Sequence, residues 1–424
     1  MRKIFQFIVR KFSRLGPGFI TGAADDDPSG IATYSIAGAQ FGYKFTWLTV
    51  FLTPLMYAVQ EMCGRIGMVS GMGLAGCIKK YYPKKLLLFS ITLLAIANIV
   101  NIGANLGVMA ASLQMITNFP FFILLIFITV FTVALEIFIP YDKYSRYLKW
   151  MGLTLLLYGV TAILVKQDWK SIVRYTFIPH IEFDLRYLMT LVGFLGTTIS
   201  PYLFFWQASE QVEEEITKGK ISEFEQSPAI AVEEINIMQK DTATGMFFSN
   251  LVSFFIILTA AATLHANGIT DIETPQQAAL ALRPIAGNFA FLLFTFGIIG
   301  IGLQSVPILA GGLAYAFAEA FGFKEGLAKK LTEAKAFYAT IALATFTGAL
   351  MNIVGINAIK ALYYTAILNG IVAIPLIFII IQLADNEKIV KGFKSKKSSR
   401  ILAWVALVFM SIASIFMLLN LVKG

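Results

Sequence analysis

Charge is scarce in this chain, and so are cysteine and histidine. Asp, Glu, Lys and Arg make up only 14% of its 424 residues, where a soluble protein carries about 25%. Hydrophobic residues make up 57%. A single soluble core cannot absorb that much Phe, Leu and Ile, so the composition excludes a soluble protein and implies a polytopic membrane protein. Cys63 and Cys77 provide neither a disulfide framework nor a metal-ligand spacing, and read as packed small apolar residues. The only histidines, His180 and His265, fall in expected outer loops, where solvation is the expectation rather than metal binding. No H-E-x-x-H, Cys/His cluster or G-x-S-x-G lies in a span, so nothing indicates an enzyme or a bound cofactor. The net charge of +9 does not argue for nucleic acid, because the basic residues sit between apolar runs as topology signals. No obligate protein partner is implied; the partner that composition implies is the lipid bilayer.

What charge there is gathers in an unusual place. Asp25, Asp26 and Asp27 are consecutive, with apolar helical sequence on both sides. Ionised groups in hydrocarbon cost several kcal/mol. Pro28 removes a backbone donor, and Gly22 and Gly30 loosen the helix around it. The expectation is a membrane helix broken at its midpoint, with freed carbonyls and a carboxylate facing a polar cavity, as in secondary transporters. An acidic surface loop between two short helices is the alternative; each half alone is too short to cross about 30 Å of hydrocarbon.

Hydropathy predicts about eleven spans, near residues 16–41, 45–68, 86–115, 121–139, 150–165, 187–209, 242–264, 288–317, 336–355, 358–383 and 400–421. Residues 166–185 form a loop with room for a short structured segment, and 210–240 read as a long acidic loop, regulatory or merely solvated. Most of the 34 Lys and Arg residues lie on the side of the N-terminus, which the positive-inside rule makes cytoplasmic. Residues 1–14 read as a basic cytoplasmic lead-in rather than a signal peptide. A single domain is expected, with 15–185 and 186–385 as five-helix halves in an inverted repeat and 386–424 as a linker and appended helix 11. In such repeats the first helix of each half is broken. Span 6 meets this expectation with Gly196-Thr197-Thr198-Ile199-Ser200-Pro201-Tyr202, where Pro201 frees the carbonyl of Thr197.

These residues, with Gly16-Pro17-Gly18-Phe19 and Ala37-Gly38-Ala39-Gln40-Phe41-Gly42-Tyr43, resemble the natural-resistance-associated macrophage protein (NRAMP) family of divalent-metal transporters. The resemblance implies an all-α, leucine-transporter-like fold with a 5+5 inverted repeat and a metal site between helices 1 and 6. The family's Asp-Pro-Gly-Asn reads Asp27-Pro28-Ser29-Gly30 here, keeping the liganding Asp at Asp27 and replacing the Asn by Gly30. Its backbone carbonyl ligands fall on Ala24 and Thr197. Its Met-Pro-His reads Ser200-Pro201-Tyr202, so the thioether is Ser200. Its titratable pair in helix 3 falls on Asn98 and Asn101. These departures resemble the NRAMP-related branch associated with magnesium transport.

The chemistry of the residues agrees. Thioethers favour soft transition metals, and oxygen donors suit Mg²⁺, Ca²⁺ and Mn²⁺. Asp27, the carbonyls of Ala24 and Thr197, and the hydroxyls of Ser29, Thr197 and Ser200 form an oxygen-only set. Mg²⁺ usually keeps several waters, and Gly30 leaves room for them. Asp26 is a further candidate ligand; Asp25 adds negative potential, and Asn98, Asn101, Tyr202 and Gln207 are cavity or coupling candidates. Glu61 and Arg65 read as an i,i+4 ion pair. Glu136 is expected to snorkel to the interface, and Asn105, Asn250, Asn352 and Asn369 to hold helices together. The expected activity is alternating-access transport of Mg²⁺, with Mn²⁺ tolerated and no strict proton coupling, in the plasma membrane. The alternatives are a proton-coupled Mn²⁺/Fe²⁺ importer and a Na⁺-coupled organic-solute symporter.

Overall fold

The computed structural model describes residues 16–139 and 156–423. The basic lead-in 1–14, the loop around Asp142, Lys143, Arg146 and Lys149, and residues 150–155 of the fifth expected span lie outside them. Among the described residues all regular structure is helical. The longer helices are α1 Pro17–Asp25, α2 Pro28–Phe41, α3 Thr46–Ser70, α4 Leu74–Tyr81, α5 Lys84–Thr117, α6 Phe121–Phe138, α7 Leu156–Leu164 and α8 Trp169–Phe177. They continue with α9 Leu185–Thr198, α10 Pro201–Thr217, α11 Val232–Thr263, α12 Ala290–Phe321, α13 Lys335–Leu350, α14 Ala358–Asp385 and α15 Lys397–Lys423. The structured segment expected within 166–185 is α8, capped by the Asp168 side chain.

Among the described residues, 8 helical stretches are long and apolar enough to cross a bilayer by length and composition. They match the expected spans 3, 4 and 6 to 11. Span 1 is interrupted between α1 and α2, and the C-terminal half of α3 carries the buried Gln60, Glu61 and Arg65. Large apolar side chains such as Ile126, Phe127 and Val130 face outward, as a hydrocarbon surround requires.

The second half-helix of each broken span starts on a proline: Pro28 opens α2 and Pro201 opens α10. Proline is tolerated there because the first-turn N–H has no helical partner. The first halves are set by close backbone approach. A Cβ on Gly22 would lie 2.2 Å from the carbonyl carbon of Gly245 in α11, and one on Gly196 would lie 2.1 Å from Gly370 N in α14. No side chain fits at either contact.

Two expectations are corrected. Residues 210–240 are not one long loop, since α10 runs to Thr217 and α11 starts at Val232. Part of its acid is partnered: Glu213 accepts from Tyr315 Oη at 2.9 Å and Leu327 N at 3.0 Å, and Lys220 pairs with Glu215 at 3.0 Å and with Glu234, while Glu223, Glu225 and Glu233 are exposed. Glu136 does not snorkel. It is 4% exposed on the buried face of α6, with neither carboxylate oxygen hydrogen-bonded. By contrast the Glu61–Arg65 pair forms as expected, with Arg65 Nε 2.8 Å from Glu61 Oε1. Gln239 Nε2 of α11 and Ser395 Oγ also donate to Glu61, at 3.0 and 3.1 Å.

Candidate metal centre between the broken helices

The first break is built around Asp27. It is the N-cap of α2, and its Oδ1 accepts from Gly30 N at 2.8 Å and Ser29 Oγ at 2.5 Å. A capping carboxylate at a helix N-terminus is favoured by the backbone dipoles. Its Oδ2 accepts from Asn105 Nδ2 of α5 at 3.2 Å. Asn101, one turn before Asn105, faces the same carboxylate, with neither amide atom hydrogen-bonded. Asp27 is 1% exposed.

The second break lies against the first. Ser29 Oγ and Thr197 Oγ1 are 3.5 Å apart, and Tyr34 Oη of α2 meets Thr198 Oγ1 at 3.2 Å. A Cβ on Gly30 would lie 3.2 Å from Thr197 Oγ1, so Gly30 is where the breaks touch. Ser200 Oγ lies 2.8 Å from the Thr197 carbonyl and 2.9 Å from that of Gly196. Tyr202 Oη donates to the Ala24 carbonyl at 3.0 Å. Both carbonyls on which the resemblance places metal ligands thus take one hydroxyl, and each oxygen keeps a second lone pair. Among the described residues no group of three or more His, Cys, Asp and Glu side chains is placed to hold a metal. The centre is one carboxylate ringed by neutral oxygens, a hard donor set.

The other candidates separate. Asp25 and Asp26, both fully buried, meet Ser249 of α11, whose Oγ lies 2.8 Å from Asp25 Oδ2 and 3.4 Å from Asp26 Oδ1. Asn98 Nδ2 donates to Leu309 O of α12 at 2.7 Å, and so ties two helices together. Gln207 is buried, with its amide unpartnered, beside Gly64 of α3. Of the residues expected elsewhere, His180 pairs with Glu182 at 2.8 Å, and His265 Nδ1 lies 2.7 Å from Ala39 O just beyond the end of α11. Glu182, outside the spans, is held below the usual carboxylate range by hydrogen bonds from Lys44 and His180.

Sequence reasoning missed three residues of the centre and its frame. Asn105 was expected to be helix glue and contacts the central carboxylate. Ser249 carried no signal. Asp241 accepts from Gly16 N, Gly18 N and Phe19 N at 2.9, 2.8 and 3.2 Å, fixing the start of α1 to α11; an acid directly before expected span 7 was the available clue.

Comparison with known proteins bears on the family and the fold. The family model described as natural resistance-associated macrophage protein-like (Nramp) matches residues 18–420. The divalent metal cation transporter MntH of Yersinia pestis (strain Pestoides F) is 27% identical over 317 residues, covering 71% of this chain and 72% of that protein. MntH of Erwinia tasmaniensis is 26% identical over 312 residues, covering 70% of each. Among solved structures, the Eremococcus coleocola manganese transporter in complex with an aromatic bis-isothiourea substituted compound superposes with TM-score 0.75 at 16% identity, covering 96% of this chain and 85% of that one. Mhp1, a nucleobase-cation-symport-1 family transporter, in a closed conformation with bromovinylhydantoin bound, superposes with TM-score 0.59 at 12% identity, covering 95% and 92%. Both share the fold, a leucine-transporter-like arrangement.

Proposed function

The chain belongs to the Nramp family, and we propose that it moves Mg²⁺ by alternating access, tolerates Mn²⁺ and does not require stoichiometric proton entry. As a family member it is a multi-pass membrane transporter of divalent metal cations, not an enzyme. The observation that carries the Mg²⁺ reading is the donor set at the breaks: Asp27 with the hydroxyls of Ser29, Thr197 and Ser200 and the carbonyls of Ala24 and Thr197, with no sulfur ligand. Hard oxygen ligands match Mg²⁺, and a single carboxylate suits an ion that keeps part of its water. Asp26 faces Ser249 and belongs to the frame rather than the ligand set.

The absence of proton coupling is supported by Asn98, Asn101 and Tyr202, none of which exchanges protons readily near neutral pH. The distribution of Lys and Arg supports a cytoplasmic N-terminus in the plasma membrane, with 15–185 and 186–385 as the two halves. The test is uptake by purified protein in liposomes across a panel of Mg²⁺, Mn²⁺, Ca²⁺ and Cd²⁺ with a pH-sensitive dye inside. Saturable Mg²⁺ uptake without acidification of the lumen is expected. Acidification that tracks metal entry, with Mg²⁺ excluded, would return the chain to the proton-coupled Mn²⁺/Fe²⁺ reading.

A further inference from the structure

We propose that Asn105 of α5 is a specificity-determining residue of the ion site, supplying from a third helix the amide oxygen that Gly30 does not. This inference rests on Asp27 holding the ion. Asn98, Asn101 and Asn105 recur at i, i+3 and i+7, so they share one face of α5. Asn98 anchors that face to Leu309 O of α12. Asn105 sits where α5, α12 and the first break meet: its Nδ2 donates to Asp27 Oδ2 and to Ser305 Oγ, each at 3.2 Å. Its Oδ1 is fully enclosed and has no partner.

Helix glue accounts for the Nδ2 contacts but not for the oxygen. An unpaired buried carbonyl costs about 1–3 kcal/mol, and an apolar residue would avoid that cost. A hard, neutral oxygen held next to the only carboxylate of the centre is the donor type that Mg²⁺ and Mn²⁺ take. Asn101, one turn away with both amide atoms unpartnered, extends the same polar wall and suits the ion's retained water. When the ion binds Asp27, Asn105 trades its hydrogen bond to Oδ2 for contact through Oδ1, directly or through one water. The bond it gives up is neutral-to-charged and stabilises the ion-free state, so it offsets part of the gain on binding and eases release.

The test is uptake of Mg²⁺ and competition by Cd²⁺ in liposomes containing Asn105→Leu, Asn105→Asp or Asp27→Ala. Asn105→Leu is expected to raise the apparent KM for Mg²⁺ about tenfold, equal to about 1.4 kcal/mol, with a smaller loss for the softer Cd²⁺ and little change in maximal rate. Asn105→Asp keeps the oxygen and loses the amide donors, and is expected to hold the wild-type KM or lower it. An Asn105→Leu protein with the wild-type order of metals, or an Asn105→Asp protein as impaired as Asn105→Leu, overturns the inference. If Asn105→Leu does not elute as a folded protein, Asn105→Ala, which also lacks the oxygen, is read by the same criteria. Retained uptake in Asp27→Ala overturns the site itself. Loss of uptake in Asp27→Ala with an unmoved metal order in Asn105→Leu overturns only the role of Asn105.

Discussion

At the first break the N-cap of the second half-helix is Asp27, and its carboxylate turns forward to accept from Gly30 N. At the second break the corresponding residue is Ser200, whose hydroxyl turns back onto the carbonyls of Gly196 and Thr197. The backbone plan is shared: a proline at the first helical position, and a carbonyl three residues before the N-cap, that of Ala24 in one case and Thr197 in the other. The side chains divide the work. The first break supplies charge, and the second supplies shape and neutral oxygen. On the proposed function, a centre built this way has one strong electrostatic anchor, and the proposal assigns its selectivity to residues that can be exchanged without moving that anchor.

The sharpest way to break this comparison is to delete each N-cap side chain in turn. Asp27→Ala is expected to reduce uptake by about a hundredfold or more, equal to roughly 2.7 kcal/mol, in protein that still elutes as a folded species. Ser200→Ala should stay within about threefold of wild type, or ~0.65 kcal/mol. Equal losses in the two variants would refute the division of labour.

Next comes selectivity. Ser200→Met combined with Gly30→Asn should weaken Mg²⁺ transport and strengthen competition by Mn²⁺ and Cd²⁺ about tenfold, or ~1.4 kcal/mol. A side chain at 30 also crowds Thr197 Oγ1 and the Tyr34 ring, whose Cε2 would lie 3.3 Å from the new Cβ. The two changes therefore need not add, and the single variants must be measured beside the double. An unchanged order of preference in the folded double variant would move selectivity elsewhere.

A smaller effect is expected from Tyr202→Phe. It removes the hydroxyl that donates to the Ala24 carbonyl, so that oxygen should become a better ligand and the apparent KM for Mg²⁺ should fall about twofold to fivefold, ~0.4–1 kcal/mol. A rise in KM would mean that the tyrosine hydroxyl itself serves the ion.

The smallest effect on transport, none, is expected of a control that leaves both breaks alone and is read as stability. Glu325 lies in the loop after α12, 6% exposed with Oε2 unpartnered. Burial, reinforced by Glu319, Glu213 and Glu225, pushes its carboxyl well above the usual range. The folded state then binds a proton that the unfolded state releases above about pH 4.3, so stability falls as pH rises from there towards the raised folded value. Glu325→Gln should therefore raise the melting temperature by a few °C at pH 8, roughly 1 kcal/mol, and by less at pH 5. Equal shifts at both pH values would contradict this, and metal preference should not change.

Both breaks were legible in the sequence because proline and charge are conspicuous inside apolar runs. The chemistry of their partners was not. Asp25 and Asp26 face Ser249, more than two hundred residues away, and Asn105 reaches Asp27 across helices; neither contact has a local pattern. The acidic stretch 210–240 was misread for a different reason. Its density of Glu suggested a regulatory or solvated loop over the whole stretch, whereas the ion pairs of Glu214 and Glu215 and the contacts of Glu213 accompany an α10 that runs on to Thr217. Glu136 was misplaced because distance along the chain from a helix end does not tell which face of the helix is buried.

The central claim is that the ion sits at Asp27 between the two breaks. Anomalous scattering from Mn²⁺ bound to the crystallised protein tests it most directly. The account predicts a principal peak within direct or water-bridged reach of Asp27, on the side of Thr197 and the Ala24 carbonyl, that disappears in Asp27→Ala. A principal peak beside Ser249, held by Asp25 and Asp26, would contradict it.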